Sequence, residues 1–259
     1  MLKLRGRRGL RWQALPLVLA IFRLVGGRWT DFYSWMLNRQ ERRNTIDDII
    51  ERTPRYSGRE RGLYDLSVAP FHIDLLRKAG LTPNSTVLDF GCGFGRSAAH
   101  LVPYLAPGHY VGVDLSAERI RMAQEYMHRL DLTEKRPEFL LARKDNDLSF
   151  LGSKRFDLVW ARAVFAHMPF EDMGVCLKQI HKILKEDGVL VGDYCIGEEF
   201  HKKSIKAFYY TEPATRKLVE ESGYIYNVID DWEIGIAPEH RHAKDTYRML
   251  CISKRAQHH

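Results

Sequence analysis

One eleven-residue stretch, residues 86–96, constrains the fold more strongly than any other part of the chain. It reads Thr-Val-Leu-Asp-Phe-Gly-Cys-Gly-Phe-Gly-Arg. The apolar, β-branched run predicts a strand, and the alternate glycines predict a tight turn with a helix starting directly after it. Because Gly91, Gly93 and Gly95 have no Cβ, a ligand can lie against their backbone, and the helix that follows offers N–H groups without intrahelical partners. The stretch therefore predicts a strand, a turn and a helix that together hold a ligand.

The glycine spacing and two acidic residues narrow the class of ligand. The glycines follow a G-x-G-x-G pattern, whereas dinucleotide-binding turns follow G-x-G-x-x-G. Asp89 lies two residues before the first glycine, where a carboxylate repels a pyrophosphate and suits a cationic ligand. A second predicted strand, residues 110–115, carries Asp114, and an acid at that place hydrogen-bonds the ribose hydroxyls of a nucleoside cofactor. The pattern therefore disfavours a nicotinamide oxidoreductase.

Strands and helices alternate along the rest of the chain. Helices are predicted at residues 70–79, 116–130, 169–186 and 211–222, and further strands at residues 138–142, 156–161, 189–195, 224–234 and 246–253. Such alternation predicts a doubly wound parallel sheet with helices on both faces. Only residues 235–245 separate the last two strands, so we expect these to pair as a hairpin, with the final strand antiparallel.

The order of strand, acid, G-x-G-x-G turn, helix, strand and acid resembles the class I S-adenosylmethionine-dependent methyltransferases. The resemblance covers about residues 70–253. It implies an α/β fold with a doubly wound, mostly parallel seven-stranded sheet, an antiparallel last strand and a helical N-terminal extension. It also implies S-adenosylmethionine as cofactor and methyl transfer to O, N or C of an acceptor.

Three motifs of methylases that act on macromolecules are absent from this sequence. The fourth strand is not followed by the Asn/Asp-Pro-Pro-Tyr/Phe motif of the resembling adenine and glutamine amide methylases. No cysteine lies where RNA cytosine-C5 methylases keep a nucleophile, and the double-glutamate pattern of arginine methylases is absent. These differences favour a small-molecule or lipid-like acceptor over a macromolecule. A second hypothesis, from another class, is a membrane-associated scaffold or regulator that keeps the fold without catalysis.

The resemblance also implies which residues bind the cofactor. Asp89 and the glycines would hold the methionine half, Asp114 the ribose, and the turn at residues 143–147 the adenine, with an apolar contact from Leu115. The family often places an acid in that turn, but the aligned residue here is Lys144, so Asp145 or Asn146 would serve after a small change of register. The expected cofactor-binding residues are Asp89, Phe90, Gly91, Cys92, Gly93, Gly95, Asp114, Leu115, Asp145, Asn146 and Ala161.

Two residues after the fourth predicted strand are candidates for catalysis. Because the ordinary pKa of a histidine is near neutral, His167 is the preferred general base, if the acceptor must lose a proton. Alternatively it caps or packs against the following helix. Arg162 could bind a carboxylate or phosphate of the acceptor, or it could pair with Glu171 or Asp172. Both residues should face the same cleft as the glycine turn, because ligands in such sheets bind beyond the carboxyl ends of the strands.

The basic excess of the chain is confined to its N-terminal arm. The formal net charge is +7, but residues 1–30 hold seven of the 40 Lys and Arg residues and none of the 33 acidic ones. The rest is electrically neutral, so we expect no nucleic-acid partner. Ala14 to Phe22 is too short to span a bilayer. We expect residues 1–30 to contact an anionic membrane surface; the alternatives are packing on the domain or on a second subunit, or an organelle transit peptide.

We divide the chain into a basic arm (residues 1–30), a helical cap or lid (residues 31–69) and an S-adenosylmethionine-binding methyltransferase domain (residues 70–259). By resemblance the cap covers the ligands, and Tyr33, Tyr56 and Tyr64 are candidates to contact them. The sequence does not decide the oligomeric state. We expect cytoplasmic localisation, with contact to a membrane surface.

Cysteine and histidine usage predicts neither disulfides nor a metal site. Cys92, Cys176, Cys195 and Cys251 are far apart in the sequence, without a C-x-x-C pair, which is typical of a reducing compartment. The two histidines of residues 240–242 have no third ligand at a useful spacing.

Overall fold

The computed structural model describes residues 27–42, 44–46, 69–143, 145–204, 207–230 and 247–254. The arm before residue 27, most of the predicted cap, Lys144 and the histidines of residues 240–242 lie outside the described residues. The helices are α1 (Trp29–Glu41), α2 (Ala69–Lys78), α3 (Ala98–Tyr104), α4 (Ala117–Arg129), α5 (Phe170–Ile183) and α6 (Glu212–Glu221). The strands are β1 (Val87–Phe90), β2 (Tyr110–Asp114), β3 (Glu138–Leu141), β4 (Phe156–Ala161), β5 (Leu184–Ile196), β6 (His201–Ser204), β7 (Ala207–Tyr210), β8 (Tyr224–Ile225) and β9 (Tyr247–Lys254).

One sheet joins all the strands within the described ranges. β3, β2, β1, β4 and β5 lie side by side in that order and are all parallel. β9 runs antiparallel along β5 and pairs on its other side with β8, also antiparallel. The strand order reverses between β1 and β4, as expected for a doubly wound sheet with its site at that point. The predicted fold class is confirmed.

The sheet has two short strands that the sequence did not predict. β6 and β7 form an antiparallel hairpin, and β7 extends the edge of β5 through Cys195 and Ile196. The hairpin includes the polar run His-Lys-Lys-Ser, which lacks the apolar alternation of a half-buried strand. These residues therefore become strands because they pair with the free edge of β5, and not because of their own sequence pattern.

The junction of α5 and β5 also differs from its predicted position. The helix was predicted to continue to Glu186 and the strand to begin at Val189, but α5 ends at Ile183 and β5 begins at Leu184. Leu184 is buried and pairs with Phe156, and the register then shifts before Leu158 pairs with Val189. The charged residues between Leu184 and Val189 bulge from the hydrogen-bond ladder between β4 and β5. Their spacing continues the apolar and polar pattern of the helix, so the sequence pattern did not show where α5 ends.

α1 packs on one face of the sheet and reaches the carboxyl ends of its central strands. Phe32, Met36 and Leu37 are buried and belong to the same apolar core as Leu88, Val113 and other residues of the sheet. The opposite face is covered by a second core that includes α2, α3 and α4. In the described part of the chain, no helix combines the length and apolar character needed to cross a bilayer.

Candidate functional site

A cavity opens at the carboxyl ends of β1, β2 and β4, beneath α1. It contains about 740 Å³ of empty space, including its mouth, which is within the usual range for small-molecule sites. Most of its wall is apolar. Its lining residues are Trp29, Thr30, Tyr33, Leu37, Phe90, Gly91, Val113, Asp114, Leu115, Arg119, Ala142, Arg143, Asn146, Leu148, Ala163, Val164, His167 and Met168.

The glycine turn forms the floor of the cavity on the β1 side. Gly91, Gly93 and Gly95 all have positive φ angles, of 81°, 57° and 82°, which glycine adopts without steric cost. The turn is held because the N–H groups of Gly91 and Cys92 both donate to the carbonyl of Val113. A Cβ on Gly91 would lie 2.5 Å from the Val164 side chain, whereas one on Gly93 would meet nothing within 4 Å. The turn therefore packs tightly against the loop after β4 and leaves open space above Gly93.

Asp114, the last residue of β2, lines the cavity. Its carboxylate accepts hydrogen bonds from the Gly93 N–H at 3.0 Å and the Ser116 N–H at 2.8 Å. Burial raises the pKa of Asp114, while Arg119 and these N–H groups favour the charged form. The same carboxylate thus connects the glycine turn to the end of β2 and lines the cavity.

Asp89 has a different environment from Asp114. It is 2% exposed, accepts a hydrogen bond from the Tyr110 hydroxyl at 2.7 Å and is not among the lining residues. Burial raises its pKa to about 7, despite that hydrogen bond. The structure therefore places the acid before the glycines inside the fold, beneath the turn.

The pKa of Asp89 predicts a pH-dependent stability. Between pH 4 and 7 the native protein retains a proton that the unfolded chain releases, so the free energy of unfolding should fall as pH rises through this window. A pKa near 7 instead of 3.8 corresponds to about 4 kcal/mol. Urea titrations at pH 5 and pH 8 measure the free energy of unfolding of the wild type and of Asp89→Asn. From pH 5 to pH 8 this free energy should fall less in the variant than in the wild type, because the variant has no carboxyl group at residue 89 to titrate. Equal losses would contradict the prediction.

α1 forms the roof of the cavity. The Trp29 indole N–H donates to the carbonyl of His167 at 3.0 Å, so the first turn of α1 is bound to the loop after β4. The Tyr33 ring stacks on the His167 ring with centroids 6.2 Å apart. Burial raises the pKa of Tyr33 to about 12, so its hydroxyl stays protonated at neutral pH. Tyr33 and His167 are thus neighbours at the cavity wall, from helix and loop.

The turn after β3 closes the far end of the cavity. Ala142, Arg143, Asn146 and Leu148 line it, and the Ala142 N–H donates to the carbonyl of Asp114 at 2.8 Å. Asp145 is not among the lining residues; its carboxylate accepts from the Asp147 N–H and pairs with Arg143. Of the two alternatives for this turn, the cavity wall therefore includes Asn146.

Arg162 lies behind the wall and forms an ion pair with the carboxylate of Asp193 on β5. The sequence had suggested Glu171 or Asp172 as its partner; the structure corrects this, because the carboxyl ends of the neighbouring strands β4 and β5 bring Arg162 and Asp193 together. The N–H of Ala163 also donates to Asp193. Ala163 has a φ of 54°, an uncommon conformation for a residue with a side chain, and it directs the chain toward Val164 and His167.

Only some of the predicted cofactor-binding and catalytic residues line the cavity. Phe90, Gly91, Asp114, Leu115, Asn146 and His167 line the cavity, whereas Asp89, Cys92, Gly93, Gly95, Asp145, Ala161 and Arg162 do not. The sequence missed the contribution of α1 apart from Tyr33, and it missed Arg119. The sequence could have indicated Arg119 as a lining residue, because it lies in the first turn of the helix that follows Asp114. Among the described residues, no cluster of three or more His, Cys, Asp or Glu side chains could hold a metal ion.

Comparisons with known proteins identify the fold around this cavity. Residues 88–190 match a family model described as a methyltransferase domain. The trans-aconitate 2-methyltransferase of Azoarcus sp. is 34% identical over 118 residues, 45% of this chain and 42% of the relative. The cyclopropane-fatty-acyl-phospholipid synthase of Escherichia coli is 30% identical over 117 residues, 45% of this chain and 28% of the relative.

A solved structure matches over a longer range. Magnesium protoporphyrin IX methyltransferase from Synechocystis, with bound S-adenosylmethionine, superposes with a TM-score of 0.57 at 16% identity, covering 93% of this chain and 97% of the other. The chain spans less than half the length of each of these two curated relatives.

Proposed function

We propose that this chain, which has the Rossmann-like fold of the class I S-adenosylmethionine-dependent methyltransferases and contains a methyltransferase domain, transfers a methyl group from S-adenosylmethionine to a small-molecule acceptor. The observation that supports this proposal most is the position of Asp114. Its buried carboxylate lies at the end of β2, joins the glycine turn by a hydrogen bond and faces an apolar cavity. The names of the relatives support the enzyme hypothesis over the non-catalytic scaffold.

The cavity residues fit the parts of this cofactor. The carboxylate of Asp114 suits the two ribose hydroxyls. Leu115, Ala142 and Leu148 offer an apolar slot for the adenine ring, with the polar Asn146 at its edge. Beside the cavity, the backbone at Gly93 is open to a group that lies directly on it. When bound, S-adenosylmethionine supplies a methyl group on a positively charged sulfur.

The residues of the chain contribute alignment and exclusion of water. α1 covers the cavity through Trp29 and Tyr33, which keeps the reacting groups out of bulk solvent. His167 lies at the same wall and can accept a proton from the attacking atom of the acceptor. Arg162 is already paired with Asp193, so we assign it to positioning the loop that carries His167.

The role of His167 predicts a selective loss of turnover. His167→Gln should lower kcat about a hundredfold or more, as expected for removal of a general base, with an unchanged dissociation constant for S-adenosylhomocysteine. Trp29 binds the backbone carbonyl of residue 167, so this substitution keeps that roof contact. The matched control is His128→Gln, at the exposed end of α4, which should retain full activity. An unchanged kcat in His167→Gln would exclude its role as base.

We propose an amphiphilic acceptor, presented at a membrane surface. The cavity roof, α1, begins within the last two residues of the basic arm. Trp35 on α1 is 37% exposed, and the Arg39 guanidinium lies 5.6 Å from its ring centroid. Aromatic and basic side chains are the ones that bind the headgroup region. The full chain should sediment with phosphatidylglycerol vesicles and not with phosphatidylcholine vesicles. A Trp35→Ala/Arg39→Ala double variant should bind more weakly, and equal binding to both vesicle types would contradict the proposal.

Calorimetric titration of the full chain with S-adenosylmethionine, S-adenosylhomocysteine and NAD tests the cofactor. Micromolar binding of the two sulfur compounds, without NAD binding, supports the proposal. Labelled methyl transfer to a panel of small carboxylic acids, phenols, amines and unsaturated phospholipids then tests catalysis. If neither sulfur compound binds, the methyltransferase proposal fails.

A further inference from the structure

Three polar residues of α1 lie on one side of the helix and contact the segment that follows Asp114. Ser34, Asn38 and Glu41 are spaced by four and three residues, so they share one face of the helix; we refer to them as the polar stripe. The Ser34 hydroxyl donates to the carbonyl of Leu115 at 2.9 Å. At the other end, Glu41 lies 3.7 Å from the guanidinium of Arg119. The stripe therefore follows residues 115–119 from the end of β2 into α4.

Asn38, in the middle of the stripe, connects to Asp114 through one residue. The Ser116 hydroxyl donates to Asn38 Oδ1 at 2.9 Å, and the Ser116 N–H donates to Asp114 Oδ1 at 2.8 Å. The amide of Asn38 also donates to the carbonyl of Ser34 at 3.0 Å, which fixes its orientation on the helix. A continuous chain of hydrogen bonds thus runs from α1 through Ser116 to the carboxylate in the cavity.

Burial makes this chain of contacts sensitive to the position of α1. Ser116 is fully buried, and Ser34 is 2% exposed. A buried hydroxyl that loses its partner carries a desolvation cost, so displacement of α1 from residues 115–119 is unfavourable. The cavity-lining residues Tyr33 and Leu37 lie beside the stripe on the same helix, so α1 cannot cover the cavity without also placing Asn38 against Ser116.

We propose that Asn38 is a positioning residue for the methyl-donor site: it fixes Ser116, and through Ser116 the orientation of the Asp114 carboxylate toward the ribose. Seating of α1 and binding of the donor are then coupled, and each favours the other. This proposal rests on the proposed function, since the donor is the ligand of Asp114. It adds a residue 78 positions upstream of Ser116 to the determinants of donor affinity.

The test compares three variants of the full chain by calorimetry with S-adenosylhomocysteine. Asn38→Ala should raise the dissociation constant about tenfold, because it leaves the buried Ser116 hydroxyl without its acceptor. Asn38→Asp keeps an oxygen acceptor for Ser116 but loses the N–H donor to the Ser34 carbonyl. It should therefore recover part of the affinity that Asn38→Ala loses, which a merely structural loss would not predict. Gln40→Ala removes an exposed side-chain amide from the same helix and should bind like the wild type.

A second measurement separates failure of this inference from failure of the proposed function. Hydrogen exchange of the unliganded protein should be faster at residues 115–118 in Asn38→Ala than in Gln40→Ala. If the wild type binds S-adenosylhomocysteine and Asn38→Ala binds it equally well, the positioning role is overturned. If the wild type does not bind it, the proposed function fails, and the exchange result alone decides whether Asn38 orders the segment. If Asn38→Ala does not fold, Ser34→Ala replaces it in both measurements. This variant removes the hydrogen bond from the Ser34 hydroxyl to the Leu115 carbonyl, and the same two outcomes, in affinity and in exchange rate, support or overturn the proposal.

Discussion

Gly91→Ala is expected to destabilise the protein and abolish cofactor binding. Gly91 has a φ of 81°, and an added Cβ would lie 2.5 Å from Val164 Cγ2. A side chain in this backbone conformation and overpacking in a tight contact each cost about 1–3 kcal/mol. The free energy of unfolding should therefore fall by about 2–6 kcal/mol, which is a large part of the stability of an ordinary domain. Urea unfolding followed by circular dichroism measures the loss.

The chain offers a matched control for this substitution. Gly108 also has a φ of 81°, but a Cβ there would meet nothing within 4 Å. Gly108→Ala should therefore lower the free energy of unfolding only by the cost of the strained backbone conformation, about 1–3 kcal/mol. It should bind the cofactor like the wild type. Gly91→Ala combined with Val164→Ala should recover part of the lost stability, because the smaller side chain removes the close contact. If Gly91→Ala and Gly108→Ala were equally stable, the turn would not be packed against Val164 as described.

Asp114→Asn is expected to lower the affinity for S-adenosylmethionine at least a hundredfold. The variant keeps the size of the side chain but replaces one acceptor oxygen with an NH₂ group, which would face the N–H of either Gly93 or Ser116. A hydrogen bond to a charged group contributes about 1.5–3 kcal/mol, and both the turn and the ribose would lose one. Calorimetric titration with S-adenosylmethionine and S-adenosylhomocysteine measures the change.

A carboxylate at the opposite end of the sheet is the control for Asp114. Asp157 on β4 accepts hydrogen bonds from Thr86 and pairs with Lys185, away from the cavity. Asp157→Asn should lower stability and leave the dissociation constant of S-adenosylmethionine unchanged. If Asp114→Asn bound the cofactor as tightly as Asp157→Asn, the ribose would not be held by Asp114, and the central argument for the proposed function would fail.

The sequence predicted strands and site residues correctly where a local pattern determined both the element and its position in the sheet. β4 has the predicted bounds, Phe156–Ala161, because its apolar residues, interrupted only by Asp157, are buried in a parallel sheet. Asp114 was found because it ends the next strand along the chain after the glycine turn. By contrast, no local pattern indicated that Trp29 would bond to the carbonyl of His167, since this contact depends on how α1 packs on the finished sheet.

The same distinction explains the remaining differences between the sequence predictions and the structure. The β6–β7 hairpin forms on an edge that only the assembled sheet provides. The ion pair of Arg162 with Asp193 links two neighbouring parallel strands, so it follows from strand order rather than from spacing along the chain. The position of Asp89 beneath the turn follows from the hydroxyl of Tyr110 on the adjacent strand. Motifs located the site, whereas long-range packing determined which of their side chains face the cavity.

The roof contacts of α1 also determine when the site can be completed during synthesis of the chain. Its hydrogen bonds join residues separated by 81 positions at Leu115 and by 138 positions at His167. At about 5–20 residues per second, α1 leaves the ribosome many seconds before the loop that carries His167. Contacts of such long range form late, because a large loop must close first. The cavity must therefore stay without its complete roof until the loop after β4 has been made, although α1 is the first of the described helices to be synthesised.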